Sequence, residues 1–361
     1  MNTATAAATT NGVSGTGQVH EELGCYLLAG QAKSSHDILV EAVEAERLGL
    51  GTAYISERFN KKEAAALSGA AGAVTERITI ATGATNHNTR HPMVTAGYAR
   101  TMQSLTGGRF VLGLGRGVPL QQDTYGIPRV TTAQLEDFTN LMRRLFRGEV
   151  IMGHNGPAGS WPVLHLDGTL DEHLPMGIVA FGPNTLKLGG RLFDQVVLHT
   201  FFTDETTARA VATVKRAAEE AGRDPGSVKV WSCFATVGEH VPEDQRLMKL
   251  VGRLGTYLQG YGDLLVRTNG WDPEVLRRFL ADPVIAGVRG LDVRGTPEQL
   301  AHAATLIPPE WLAPAATGTP AQCVAAVRNQ LALGCDGVIM HGATPAELTP
   351  IVAEYQKTAQ P

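Results

Sequence analysis

Residues 78–117 constrain the fold of this chain more than any other segment. The run ITIATGATNHNTRHPMVTAGYARTMQSLTGGRFVLGLGRG predicts a strand at 78–81, a helix at 92–105 and a second strand at 110–114. Proline suits the first turn of that helix and glycine suits its end. Two parallel strands joined by a helix form a right-handed crossover, so both end at the same edge of the sheet. The loops TNHNTRHP and GLGRGVPLQQD follow them there, and this is the edge at which α/β proteins bind ligands.

The same alternation of strands and helices continues along the chain. Ser34 or Ser35 is expected to cap the first helix, which ends at Gly49. Six more strands are predicted at residues 24–28, 52–55, 176–180, 195–199, 229–237 and 338–340. Helices are predicted at residues 38–48, 63–74, 132–146, 184–190, 204–221 and 320–333. Eight strands alternating with helices favour a closed parallel (β/α)8 TIM barrel, with a doubly wound open sheet as the alternative.

Three segments do not follow this alternation of strands and helices. Residues 1–20 lack the basic start and apolar core of a signal peptide, so they are predicted to be a flexible tail. Residues 149–174 are rich in turn formers and are expected to hold a small hairpin. Residues 241–310 combine short helical stretches with many glycines and prolines, which predicts a helical insertion between strands seven and eight, over the barrel mouth. Residues 21–361 are then one domain.

Composition excludes several functional classes. A net charge of −4 without a basic stripe argues against a nucleic-acid partner. No apolar run approaches the ~20 residues that a membrane helix requires. The four cysteines, at positions 25, 233, 323 and 335, are far apart and lack a C-x-x-C motif. We therefore expect reduced, mostly buried thiols in a cytoplasmic protein.

The order "strand, T-G, polar loop, R-H-P, helix, G-G-R-F-x-L-G-L-G-x-G" resembles the luciferase-like flavin and deazaflavin oxidoreductases. The likeness covers residues 22–237 and 311–356, and it is strongest to the branch that uses coenzyme F420. It implies a TIM barrel, F420 as the cofactor with FMN as the alternative, a small-molecule substrate and a homodimer. The predicted reaction is hydride transfer between the deazaflavin and a small organic substrate.

Strand two ends in Ser56-Glu57-Arg58-Phe59, where the F420 branch often has Ser-Asp-His-Phe. The resemblance implies that Glu57 touches the cofactor and that Arg58 replaces the proton-transferring histidine. Arginine is no base near neutral pH, but its fork can hold an anionic group. The alternative is a surface Glu–Arg ion pair of little consequence. Glu57 and Arg58 are therefore candidate catalytic residues.

After strand three, the resemblance implies a non-prolyl cis peptide at Gly83-Ala84, against one face of the cofactor ring. An ordinary glycine turn is the alternative. Asn86 follows as a candidate cofactor contact. His87 is a candidate proton donor, and a solvent-exposed loop histidine is its alternative reading.

Gly115-Arg116-Gly117 closes a G-x-G-x-G motif, and the resemblance implies that its backbone approaches the cofactor. The motif fails as a dinucleotide fingerprint, because Val118-Pro119 is not expected to begin a helix. Val118 stands where F420-dependent sugar-phosphate enzymes have a catalytic glutamate. With Arg58 also in place of histidine, oxidation of glucose-6-phosphate is not expected.

The segment Ala180-Phe181-Gly182 precedes a helix, and the resemblance implies that it holds the cofactor phosphate on exposed backbone amides. His199 and His341 end strands six and eight, and with Phe202 they are expected to line a substrate pocket. A zinc site formed by these two histidines and His87 is the alternative, although no metal is expected. At the level of function, the alternatives are an FMN-dependent monooxygenase and a non-catalytic cofactor-binding member.

Overall fold

The computed structural model describes residues 18–29, 33–168 and 173–358. In this part of the chain, eight parallel strands form the barrel: β1 (His20–Tyr26), β2 (Leu50–Ile55), β3 (Thr79–Thr82), β4 (Phe110–Leu114), β7 (Met176–Val179), β8 (Gln195–Val197), β9 (Lys229–Gly238) and β11 (Gly337–His341). Three further strands are β5 (Ile151–Gly156), β6 (Gly159–Leu164) and β10 (Ala315–Gly318).

Strand pairing closes the sheet into a ring. The order is β1-β2-β3-β4-β7-β8-β9-β11, every pair is parallel, and β11 pairs back onto β1 through Ile339 and Gly24. The predicted (β/α)8 barrel is confirmed and the open sheet is excluded. Strands β5 and β6 form the antiparallel hairpin expected within residues 149–174. The short strand β10, which was not predicted, pairs with the end of β9.

Most of the helices surround the barrel. Several helices after β9 form the insertion between β9 and β11. Up to β9 they are α1 (Asp37–Arg47), α2 (Ala64–Ala73), α3 (Pro92–Leu105), α4 (Pro119–Tyr125), α5 (Thr132–Phe146), α6 (Pro183–Leu192) and α7 (Asp204–Glu220). After β9 they are α8 (Glu243–Leu247), α9 (Arg253–Asn269), α10 (Pro273–Ala281), α11 (Pro283–Ala286), α12 (Leu291–Arg294), α13 (Pro297–Leu306), α14 (Pro309–Leu312), α15 (Pro320–Ala332) and α16 (Pro345–Thr358).

Three local predictions were wrong. β1 begins at His20, which pairs with Leu50, so the strand includes the end of the expected tail; residues 1–17 lie outside the described part. Neither Ser34 nor Ser35 caps α1, because the helix begins at Asp37. A short helix, α4, does follow the glycine-rich loop, with proline at its first position as proline's fixed φ allows.

Two apolar layers hold the barrel together. The larger layer lies between the strands and the helices, as expected where helices cover a parallel sheet. The smaller layer fills the barrel interior with large rings, among them Tyr26, Tyr54 and Trp231, and the centroids of Tyr54 and Trp231 lie 5.7 Å apart. The rings of this interior layer pack against one another inside the barrel.

All four cysteines are buried as free thiols, as expected. Burial raises the pKa of the Cys233 thiol to about 11. None of the helices among the described residues is long and apolar enough to cross a membrane.

Candidate active site

The turn after β3 contains a cis peptide bond between Gly83 and Ala84, as predicted. The Tyr26 hydroxyl, at the end of β1, donates a 2.7 Å hydrogen bond to the Gly83 carbonyl oxygen. A Cβ atom on Gly83 would lie 2.8 Å from that hydroxyl and 3.0 Å from the ring of Tyr54. Only glycine therefore fits at position 83, and Tyr26 fixes the orientation of its carbonyl group.

Glu57 holds the other side of this turn. Its backbone N–H donates to the Ala84 carbonyl oxygen over 2.9 Å. Its carboxylate accepts hydrogen bonds from the Ala64 amide (3.2 Å), the Thr85 hydroxyl (3.1 Å) and the Arg90 guanidinium (2.9 Å). The side chain is only 4% exposed. The proposed contact between Glu57 and a cofactor stays a prediction, and the observed contacts are those of a group that positions the turn.

Among the described residues, Glu57 does not form the surface ion pair with Arg58 that was the alternative prediction. Its cationic partner is Arg90, which also pairs with Glu63, and the pair between Glu57 and Arg90 is largely buried instead of lying on the surface. Arg58 is thereby left for other contacts.

The glycine-rich loop after β4 packs against the cis peptide. A Cβ atom on Gly115 would lie 2.9 Å from the Cβ of Ala84, and the Gly115 amide donates to the Thr85 carbonyl oxygen. The buried Asn86 side chain donates to the Gly115 carbonyl oxygen over 2.9 Å. Arg116 and Gly117 are exposed, and Gly117 has a φ of +77° that favours glycine. The structure therefore brings these predicted cofactor contacts together.

The segment that precedes α6 lies at the next strand ends. The Ala180 amide donates to the Val197 carbonyl oxygen, which joins β7 to β8. Gly182 is the N-cap of α6, and a Cβ atom there would meet no heavy atom within 4 Å. The Phe181 ring stacks on His199 with centroids 4.3 Å apart.

His199 lies within a cluster of aromatic rings. Phe181, Phe202, Tyr257 and Tyr261 surround its ring, and the two tyrosines come from α9. The Thr200 carbonyl oxygen lies 2.9 Å from His199 Nδ1, which must therefore donate. Nε2 then accepts from the Tyr261 hydroxyl at 3.0 Å. Burial lowers the pKa of His199 to about 4, so its imidazole is neutral at neutral pH.

His341 lies near the Tyr26 ring, with centroids 5.0 Å apart. The buried Arg253, from α9, donates from Nη1 to His341 Nε2 over 3.2 Å. Because arginine has no acceptor, the hydrogen of the neutral His341 ring is on Nδ1. Burial and the nearby Arg253 and Arg58 cations hold the pKa of His341 well below its usual value.

A cavity of about 500 Å³ opens beside these groups and carries a marked excess of positive charge. Within the described residues its lining contains no carboxylate side chain. Its ionisable lining residues are Tyr26, Lys33, Arg58, Lys61, Lys62, Arg253 and His341.

His87 lies apart from the other two histidines. It is 6% exposed, which corrects the solvent-exposed reading, and its ring stacks on Phe138 of α5 at 4.7 Å. Burial lowers its pKa to about 4, so it carries no imidazolium proton at neutral pH. Among the residues that the structure describes, no three His, Cys, Asp or Glu side chains form a possible metal site.

Five residues of this site were not predicted from the sequence: Tyr26, Lys62, Arg253, Tyr257 and Tyr261. Arg253 and Tyr257 are spaced four residues apart in α9 and so lie on one helical face, and Tyr261 follows four residues later, at a kink in that helix. That spacing was visible in the sequence. Without the fold, however, it did not indicate which surface of the insertion faces the barrel.

Comparisons with known proteins agree with this architecture. The family model described as luciferase-like monooxygenase matches residues 9–337, so the chain belongs to that family. The 5,10-methylenetetrahydromethanopterin reductase of Methanolobus tindarius is 26% identical over 239 residues, which cover 63% of this chain and 69% of the relative.

Two solved structures show the same fold. The coenzyme F420-dependent tetrahydromethanopterin reductase of Methanopyrus kandleri superposes with a TM-score of 0.79 at 19% identity, over 95% of this chain and 100% of that chain. An F420-dependent secondary alcohol dehydrogenase, in complex with an F420–acetone adduct, gives a TM-score of 0.71 at 17% identity, over 92% and 97%.

Proposed function

We propose that this protein is an oxidoreductase that uses coenzyme F420 to transfer hydride to or from a small organic substrate. Two similarities support F420 as the cofactor. The relative from Methanolobus tindarius is a methylenetetrahydromethanopterin reductase, and both superposed structures are F420-dependent enzymes. The observation that carries the proposal is the platform of Gly83, Ala84 and Gly115 at the barrel mouth.

The residues of this platform fit a flat ring system. Gly83 and Gly115 add no side chain to the surface of the platform, because Tyr26, Tyr54 and the Ala84 methyl group fill the space of their missing Cβ atoms. The turn therefore presents backbone and one methyl group, and the Tyr26 hydroxyl orients the Gly83 carbonyl. A cofactor phosphate would be held by the backbone at the start of α6, where the space around Gly182 is open. Backbone amides at a helix N-terminus and the helix dipole both favour an anion there. The exposed backbone of Arg116 and Gly117 is the second proposed phosphate contact.

When bound, the cofactor supplies the hydride chemistry, and the protein supplies position and electrostatics. Glu57, through Arg90 and Thr85, keeps the platform in place. The aromatic cluster around His199 buries that histidine and keeps it neutral, with its Nδ1 hydrogen directed to Thr200. His341, neutral and protonated at Nδ1, is a hydrogen-bond donor for a substrate oxygen, and Arg253 holds its ring. His87 is not proposed as an acid, because its pKa is too low.

Titration of the purified chain with F420 and with FMN, followed by fluorescence quenching, tests the proposal. We expect F420 to bind at least about tenfold more tightly than FMN, a difference of about 1.4 kcal/mol. Preferential binding of FMN would replace this proposal with an FMN-dependent monooxygenase. Failure to bind either compound would indicate a non-catalytic member. The single domain and the homodimer are also proposed, and sedimentation measurements test the latter.

A further inference from the structure

The cavity lined by Arg58 and Arg253 differs in charge from the rest of the barrel mouth. Four of its cations come from one side, Lys33 from the loop after β1 and Arg58, Lys61 and Lys62 from the loop after β2. Within the described residues, none of these four side chains forms an ion pair with a carboxylate.

The acidic groups near the cavity offset only part of this charge. The carboxylate of Asp292 lies 3.8 Å from Arg253 Nε. Burial and then Arg58 lower the pKa of Lys62, and Glu41 lies close enough to oppose part of that shift. The Glu41 carboxylate is bonded to the Leu28 amide over 2.6 Å. A third carboxylate, Asp37, accepts a hydrogen bond from the amide of Ser34, which lines the cavity. Five cations against these three carboxylates leave a net positive cavity.

Arg253 supplies an independent sign that a ligand belongs here. It is 4% exposed, lines the cavity and donates a hydrogen bond to His341, with Tyr257 also in contact. Its Nε–H has no hydrogen-bond acceptor, because the Asp292 carboxylate lies 3.8 Å away, at ion-pair but not hydrogen-bond distance. A buried guanidinium N–H without an acceptor is costly, so an incoming acceptor is favoured.

We propose that this cavity binds a substrate through an oxyanion, a carboxylate or a phosphate group, held by Arg58, Lys62 and Arg253. Arginine forks match the geometry of such groups, and the lysines add charge. The assignment of this oxyanion to a substrate rests on the proposed function, because it places the anion beside His341 and Tyr26, next to the platform. The substrates of this enzyme are therefore small organic acids or phosphate esters.

The test uses sulfate as the probe, because its charge is constant near neutral pH. Calorimetric titration of the full chain with sulfate, against sodium chloride at matched ionic strength, is repeated for Arg58→Met, Lys61→Met and Lys357→Met. Lys61 and Lys357 are both exposed, but only Lys61 lines the cavity. We expect sulfate affinity to fall about tenfold or more in Arg58→Met and about threefold in Lys61→Met, and to be unchanged in Lys357→Met.

A parallel titration with F420, with and without saturating sulfate, separates this inference from the proposed function. We expect sulfate bound in the cavity to leave F420 affinity unchanged. Displacement of F420 by sulfate in the unmodified protein but not in Arg58→Met would assign the cavity to the anionic part of the cofactor and overturn the inference. Absence of sulfate binding, or an equal loss in Lys357→Met, would overturn it as well. Failure of F420 to bind, with sulfate still bound, would count against the proposed function alone.

Discussion

Glu57 and Arg58 are neighbours at the end of β2, yet they face regions with opposite charge balance. Glu57 lies in a network in which each charge has a partner: Arg90 pairs with both Glu57 and Glu63, and backbone and hydroxyl groups complete the shell. Arg58 lies in a cavity where cations outnumber carboxylates. A network in which every charge has a partner stabilises a structure, whereas a group of cations without carboxylate partners is a place for an anionic ligand. From this difference we infer that Glu57 positions the turn after β3 and that Arg58 binds the proposed anion.

The largest expected effect comes from the Glu57 network. In Glu57→Ala the Arg90 guanidinium, the Ala64 amide and the Thr85 hydroxyl lose the Glu57 carboxylate as an acceptor, so we expect the free energy of unfolding to fall by about 3 kcal/mol. Glu220→Ala is the control, because that side chain is 69% exposed and its contact with Arg216 is 4.0 Å long; a change below about 1 kcal/mol is expected there. Urea denaturation measures both. Equal stabilities would show that the Glu57 network is not structural.

Arg58→Ala is expected to leave the fold intact and to weaken anion binding. The loss of a charge-assisted contact predicts a sulfate dissociation constant raised about ten- to hundredfold, or about 1–3 kcal/mol. Arg216→Ala, a change at a 63% exposed arginine, is the control. An Arg58→Ala variant with normal sulfate affinity, normal F420 affinity and normal activity would make Arg58 a surface residue.

Arg58→His restores the histidine that the F420 branch often has at this position, and it tests whether that histidine alone confers oxidation of glucose-6-phosphate. We expect no oxidation of glucose-6-phosphate by this variant, because Val118 stands where the resemblance places a glutamate. Turnover of glucose-6-phosphate by the unmodified protein, followed by F420 absorbance, would refute this expectation.

Gly182→Leu probes the proposed phosphate contact without disturbing the fold. Since a Cβ atom at this position meets nothing within 4 Å, we expect an unchanged denaturation midpoint. Affinity for F420 should fall about tenfold, because the new side chain blocks approach to the helix N-terminus. Gly97→Leu, at another open glycine, is the control. Unchanged F420 affinity in Gly182→Leu would remove α6 from the phosphate site.

The smallest effect is a pH dependence of anion binding. Burial, and then Arg58, lower the pKa of Lys62 to about 8; Lys61 and Arg253 act in the same direction and Glu41 opposes them. Lys62 is therefore charged below pH 8 and neutral above it. We expect sulfate affinity to fall about threefold between pH 7 and pH 9, as one partly exposed cation is lost. A pH profile that persists unchanged in Lys62→Met would assign the effect to another group.

The strands and the principal helices were predicted from the sequence, because each depends on neighbouring residues. The cis peptide was expected only from the family resemblance, since the residues alone favour an ordinary glycine turn. β-Branched runs predict strands, and proline and glycine mark the ends of α3. The local pattern failed at α4, where Val118-Pro119 did begin a helix. It also failed at the cap of α1, where two serines were available and neither was used.

The sequence by itself determined the barrel and the order of the loops at its mouth, since periodicity and turn residues act over short distances. Only the tertiary structure decided which side chains meet there. Glu57 and Arg90 are separated by 33 positions, His199 and Tyr261 by 62, and Arg253 and His341 by 88. Charge balance and burial depend on these distant contacts, so the pairing of Glu57, the neutrality of His199 and His341, and the excess charge around Arg58 all required the folded chain.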